Sequence, residues 1–179
     1  HSPYQVPEQY KQAYPHLTGN RQTMAAMLAA VDEAIGQITA ALAEKGLREN
    51  TLIIFSSDNG GPAPDRVSSN RPLRAGKGTI YEGGIRVCAC ATWPGRIPAG
   101  TTVKEPMHAV DWYPTLLRLA GASVGAKNDS PQLPVDGLDV WPMLTQGVKS
   151  PHDAILLAGM APSRMAANSL GTHTRAATS

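Results

Sequence analysis

Between Asn20 and Leu47 apolar side chains recur every three or four positions, with Met24, Met27, Leu28, Val31, Ile35, Ile38 and Leu42 on one stripe. That spacing predicts an amphipathic α-helix with one face turned to a core. Lys45 and Gly46 close it, the cation near the negative end of the helix dipole and the glycine as the cap. At Thr51 the pattern changes. Thr51 to Phe55 are β-branched or apolar without polar alternation, the pattern of a strand buried on both faces. Leu47 to Asn50 joins the two, giving an α-then-β unit on one face of a sheet. Ile85 to Thr92 is a second, largely apolar run, predicted as a strand that Trp93-Pro94-Gly95 ends. Another helix is expected near Val110–Gly121, with Pro114 in its first turn, where a missing N–H costs nothing, and Gly121 as terminator. Ala154 to Leu157 reads as one further short strand.

The segments between are polar and rich in turn formers. His1–Tyr10 is an irregular loop with two prolines, Pro62–Asn70 a surface loop whose Asp65 and Arg66 are solvated, and Ser123–Pro134 a linker. From Met165 the small, polar composition suggests a disordered end or a misread or truncated frame. With 179 residues and 18.9 kDa the chain is long enough for one respectable core. A net charge of +2 is too weak to argue for nucleic acid. The longest uninterrupted apolar run, Met24–Val31, is too short to span a bilayer, and no signal sequence opens the chain, although a truncated start would hide one. Cys88 and Cys90 form C-x-C on one strand face and are expected to pack as small apolar residues. A metal pair or redox disulfide would call for a second Cys or Cys/His pair, and none is visible.

Candidate chemistry starts where the first strand ends. Ser56, Ser57, Asp58, Asn59, Gly60 and Gly61 follow at once, and groups just past the carboxyl end of a central strand in an open α/β sheet face the ligand crevice. Neighbouring strand residues point to opposite faces, so Asp58 and Asn59 need a turn to share a ligand. The two glycines supply backbone freedom for it. A carboxylate with an amide oxygen suits Ca²⁺ or Mg²⁺ rather than zinc. Read alone, D-N-G-G is also an ordinary tight turn. Lys77 lies between Gly76 and Gly78, so little shields its ammonium from a phosphate or sulfate oxygen. The alternative is a solvated surface lysine.

S-D-N-G-G at 57–61, P-L-R-A-G-K-G-T-I-Y-E-G-G-I-R-V at 72–87 and W-P-G-R-I-P-A-G at 93–100 together resemble the type I sulfatases of the alkaline-phosphatase superfamily. H-x-P-x-x-x-P-E-x-Y at 1–10, H-x-x-D-W-x-P-T-L-L at 108–117 and the D-G-L-D-V-W-P-M-L block at 136–144 extend the likeness from His1 to about Leu144. The resemblance implies an α/β fold, part of an alkaline-phosphatase-like mixed sheet flanked by helices, with the start of a small C-terminal subdomain. Residues 1–122 would be the core, 123–164 the linker and start of that subdomain, and 165–179 a disordered or non-family tail.

The implied activity is sulfuric ester hydrolysis of the arylsulfatase kind, on a sulfated small molecule or glycan. Ca²⁺, with Mg²⁺ as the alternative, and a formylglycine made from Cys or Ser in C/S-x-P-S-R would assist. Carried over residue by residue, Asp58 and Asn59 resemble half of the calcium shell and Lys77 the sulfate-binding lysine. His1 resembles the histidine that contacts sulfate and helps protonate the leaving oxygen, work suited to a group that titrates near neutrality. His108 and Asp111 are read as structural, a helix cap or hydrogen-bond partner. No nucleic acid or membrane partner is expected, and a periplasmic, secreted or lysosome-like compartment is.

The departures are specific. No C/S-x-P-S-R and no Asp-Asp pair occur in the 179 residues, and Cys88 stands where the family commonly has proline. The chain would therefore hold one wall of an active site, the carboxy-terminal part of a sulfatase. Two other readings stay open: a phosphatase or phosphodiesterase of the same superfamily, which typically has a zinc-binding Asp-His in place of Asp58-Asn59, and a non-catalytic pseudosulfatase or binding module.

Overall fold

A computed structural model describes residues 3–62, 67–122 and 135–157. Expectations for His1, Asp65 and Arg66, the 123–134 linker and the tail from 165 fall outside these residues. The chain forms two compact units, His1–Gly95 and Arg96–Ser179.

In the first unit the helical spacing produces the long α2 (Gly19–Glu44), followed by a 3₁₀ turn at Arg48–Asn50. Glu8–Lys11, in and just past the stretch expected to be an irregular loop, instead forms a one-turn helix, α1, because Pro7 immediately before it needs no helical N–H partner and Glu8 pairs with Lys11. Gly46 adopts φ +66°, and the bonds Gly46 N–H to Ala43 O (3.0 Å) and Leu47 N–H to Leu42 O (2.8 Å) terminate α2 as a Schellman motif. Helix α2 meets α1 and the 3₁₀ turn. Gln22 Nε2 donates to Tyr14 O at 3.1 Å, and a hydrogen bond between the Tyr10 hydroxyl and Glu33 holds that phenol's pKa above its usual value.

The predicted apolar stripe is only partly covered. Met24, Met27, Ile35 and Leu42 are half-buried, whereas Leu28 is 62% and Ile38 59% exposed. Periodicity sets the helix; burial of its stripe needs a facing layer, and the short α1 covers one end of a 26-residue helix. Although no uninterrupted apolar run is long enough, α2 as a whole has the length and apolar composition to cross a membrane, with a mean hydropathy of 1.3 over an 18-residue window.

The strands are shorter than the apolar runs predict. β1 is Ile53–Ser56 and β2 is Ala89–Thr92, paired antiparallel with Ile53 opposite Thr92 and Ser56 opposite Ala89. Ile85 instead ends a one-turn helix, α3 (Glu82–Ile85). The ribbon is not buried on both faces: Ile53 and Ile54 are half-buried, Phe55 and Ser56 exposed. Cys88 and Cys90 are exposed free thiols rather than packed side chains. Among the described residues the sheet has two strands, too few to enclose their own side chains, so apolar composition marks the strands without burying them. The base of the ribbon is tied to the 3₁₀ turn: Arg48 donates to Thr92 Oγ1 (2.8 Å) and Thr51 O (3.1 Å), and Trp93 Nε1–H to Glu49 O (3.0 Å).

The second unit contains a 3₁₀ turn at Ala109–Asp111, α4 (Trp112–Leu119) and α5 (Trp141–Gln146). As expected, Pro114 lies in the first turn of α4, and Gly121, at φ +76°, follows its end with another Schellman pair, Gly121 to Arg118 O and Ala122 to Leu117 O. His108 caps the turn, its Nδ1 accepting from Val110 N–H at 3.3 Å, while Asp111 Oδ2 accepts from His108 N–H at 2.6 Å.

Asp111 is fully buried. It also accepts from Leu138 N–H at 2.9 Å, and His152 Nε2 lies 2.8 and 2.9 Å from its two oxygens. A carboxylate can only accept, so His152 Nε2 carries the proton. Thr115 Oγ1 receives Val140 N–H at 3.0 Å, Arg118 pairs with Asp139, and Val140 and Met143 are buried beside them. These bonds join the H-x-x-D-W and D-G-x-D segments. Ala154–Leu157 forms no strand, and four apolar-leaning residues with no partner edge among the described residues do not make a ladder.

Replacing Asp111 by Ala leaves the N–H groups of His108 and Leu138 and the His152 imidazole without their acceptor. We expect a loss of about 3 kcal/mol in urea unfolding. An unchanged unfolding midpoint would show that these bonds do not hold the unit together.

Candidate active-site wall

The β1 ladder continues one step past the strand, Ser57 N–H donating to Cys88 O at 3.1 Å, and then the chain turns away at Asp58. Ser57 Oγ closes the turn on Asn59 O at 2.8 Å, and Asn59 Nδ2 donates to Gly60 O at 2.9 Å. The second bond commits the amide nitrogen of Asn59 and leaves its carbonyl oxygen available. Asp58 is exposed and its carboxylate makes no hydrogen bond or ion pair among the described residues. Two hard oxygen donors, one of them charged, fit a hard cation such as Ca²⁺ or Mg²⁺. They are half of a shell: no group of three His, Cys, Asp or Glu converges among the described residues.

The glycines here act differently from the expectation of backbone freedom. None of Gly60, Gly61, Gly83 and Gly84 has a positive φ. Gly60, Gly83 and Gly84 instead lie where backbones cross too closely for a side chain, and Gly61 lies against the Ser68 side chain. A Cβ on Gly60 would stand 1.7 Å from Gly83 O, one on Gly61 2.3 Å from Ser68 Oγ, one on Gly83 2.3 Å from Ala75 O and one on Gly84 2.3 Å from Thr79 O. The crossing is hydrogen-bonded throughout, with Gly60 N–H to Gly84 O at 2.9 Å, Gly83 N–H to Arg74 O at 2.8 Å and Lys77 N–H to Gly61 O at 3.0 Å.

The last bond places the Lys77 loop directly against the D-N-G-G turn. Gly78, at φ +82°, turns the chain immediately after Lys77, and the exposed Lys77 ammonium makes no ion pair among the described residues. Arg74 stacks 3.8 Å over the Tyr81 ring and adds a second positive charge to the same loop. Three of the sequence candidates, Asp58, Asn59 and Lys77, therefore belong to one loop cluster. His1 lies outside the described residues. Asn70, which the sequence leaves at the end of a polar loop, holds the cluster together: its Oδ1 accepts from Gly61 N–H (2.9 Å), and its Nδ2 donates to Gly61 O (3.0 Å) and Ala75 O (3.1 Å). A lone Asn before Arg-Pro carries no sequence signal of such long-range bonding.

Gly60→Ala must displace a backbone carbonyl and is expected to cost about 2–3 kcal/mol. Gly36, in the middle of α2 with nothing within 4 Å of an added Cβ, is the control; Gly36→Ala should gain about 0.5–1 kcal/mol from helix propensity. Chemical denaturation of both variants measures the opposite signs.

A family model described as Sulfatase matches residues 1–122, which include α2, both strands and both loops of the cluster. Mouse arylsulfatase J is 43% identical over 157 residues, covering 87% of this chain and 25% of that protein. Human arylsulfatase A is 41% identical over 130 residues, covering 70% of this chain and 24% of that protein. The crystal structure of Ps i-CgsB in complex with k-i-k-neocarrahexaose matches with a TM-score of 0.75 and 37% identity, over 83% of this chain and 32% of that one. The chain thus spans about a quarter of the length of the curated relatives it matches. Its α/β, alkaline-phosphatase-like architecture is that of its structural neighbours. By motif order, family match and shared fold, the chain belongs to the sulfatase family.

Proposed function

We propose that this chain contributes one wall of the active site of a sulfuric ester hydrolase of the arylsulfatase kind. The observation that carries the reading is the junction of an oxygen-donor turn and a lysine loop through the Lys77–Gly61 and Gly60–Gly84 bonds. Asp58 and Asn59 would hold part of a Ca²⁺ site, with Mg²⁺ as the alternative, and the ion would supply fixed positive charge for the sulfuryl oxygens. Lys77 binds another oxygen of the same group as a point charge and stabilises the negative charge that develops there. His1 contacts the sulfate and delivers a proton to the leaving oxygen.

No Cys or Ser of the 179 residues lies in C/S-x-P-S-R, so none of them fits the role of formylglycine precursor and no nucleophilic step is assigned to this chain. The oxygen-only pair Asp58-Asn59 favours sulfate chemistry over the zinc-dependent phosphatase reading. The k-i-k-neocarrahexaose bound to Ps i-CgsB favours a sulfated glycan over a small aryl ester.

Calorimetric titration tests the wall directly. Asp58→Ala should weaken Ca²⁺ binding at least about tenfold, or ~1.4 kcal/mol. Lys77→Ala should weaken inorganic sulfate by a similar factor while leaving Ca²⁺ affinity unchanged. Sulfate affinity indifferent to Lys77 would remove the basis of the proposal. The 179-residue chain alone should not turn over a chromogenic aryl sulfate; Ca²⁺-dependent hydrolysis above a Lys77→Ala background would contradict that expectation.

A further inference from the structure

We propose that Asn70 is the positioning residue of this site, setting the Lys77 loop against the Asp58–Asn59 turn; the inference rests on the sulfate-ester reading above. Asn70 binds both the N–H and the C=O of Gly61, at 2.9 and 3.0 Å. Two bonds to one residue fix the orientation of its backbone as well as its distance. The remaining amide hydrogen goes to Ala75 O at 3.1 Å, so both donors and one acceptor site of the half-buried carboxamide are used across the two loops.

Each anchored residue leads to Lys77. Gly61 O accepts the Lys77 N–H itself, at 3.0 Å. Ala75 stands at φ +62°, a left-handed conformation disfavoured for a residue with a β-carbon, and it turns the chain two residues before Lys77. Such a conformation persists where surrounding bonds over-determine it, and Asn70 supplies the bond to its carbonyl. Few side chains can replace this one. Aspartate keeps the acceptor for Gly61 N–H but sets a carboxylate oxygen against two carbonyl oxygens, and alanine reaches nothing. Asn70 need not touch sulfate; it acts through Lys77.

A double-mutant cycle on the full chain tests this, with inorganic sulfate as the probe in the presence of Ca²⁺. Lys77→Ala and Asn70→Asp should each lower sulfate affinity about tenfold, and the double variant should bind no more weakly than either single one. A residue with a general structural role would instead add its loss to that of Lys77→Ala. Amide hydrogen exchange should accelerate at Gly61 and Lys77 in Asn70→Asp, with α2 unaffected. If Asn70→Asp does not fold, Asn70→Ala, which introduces no opposing carboxylate, replaces it in the cycle. Wild-type sulfate affinity in a folded Asn70 variant, or additive losses, overturns the positioning role alone. A Lys77→Ala variant that binds sulfate as the wild type does overturns the sulfate-ester reading, and the positioning role with it.

Discussion

The first unit depends on backbone strands crossing with no room for a methyl group between them. Gly60 meets the carbonyl of Gly83, and Gly83 and Gly84 meet those of Ala75 and Thr79, at distances that exclude a Cβ. Because the contact is backbone to backbone, hydrogen bonds rather than side-chain packing define it, and they are short-range and directional. That is why an exposed loop cluster beside a small two-stranded ribbon can hold Asp58, Asn59 and Lys77 in a fixed relation. The anion-binding wall proposed above would need that rigidity more than a large core, since its charge would have to be in place before an anion arrives.

The second unit is organised by the opposite device, a buried charge. Asp111 loses all contact with solvent and recovers it through bonds from His108, Leu138 and His152. Three segments distant in sequence converge on one carboxylate, while Thr115 and Arg118 on the next turns of α4 fasten the D-G-x-D block. A buried carboxylate is costly to keep unpaired, so the polar contacts there specify which segments meet. The structural roles read for His108 and Asp111 match this arrangement; the part of His152 does not follow from any spacing in the chain.

Side-chain identity alone made α2 and α4 legible, along with the turn that follows the first strand. The three-to-four spacing of Met24 through Leu42 marked α2, Gly46 and Gly121 marked helix ends, and D-N-G-G after an apolar run marked a turn that carries two side-chain oxygen donors. Such local features follow from the period of the helix and the conformational range of single residues. Burial did not follow. Part of the α2 stripe and both Cys88 and Cys90 are exposed, because enclosure depends on neighbouring layers that no local pattern encodes.

The sequence by itself therefore determined where α2, α4 and the middle of the apolar ribbon lie, which family motifs are present and which residues can serve as oxygen donors or point charges. Only the tertiary structure decided that Gly60, Gly61, Gly83 and Gly84 are needed for close approach rather than for unusual φ angles, and that Asn70 joins the two loops. The reason is physical: a hydrogen bond or a steric clash between residues five or more positions apart in irregular chain depends on where the chain returns, and that return is set by the whole fold.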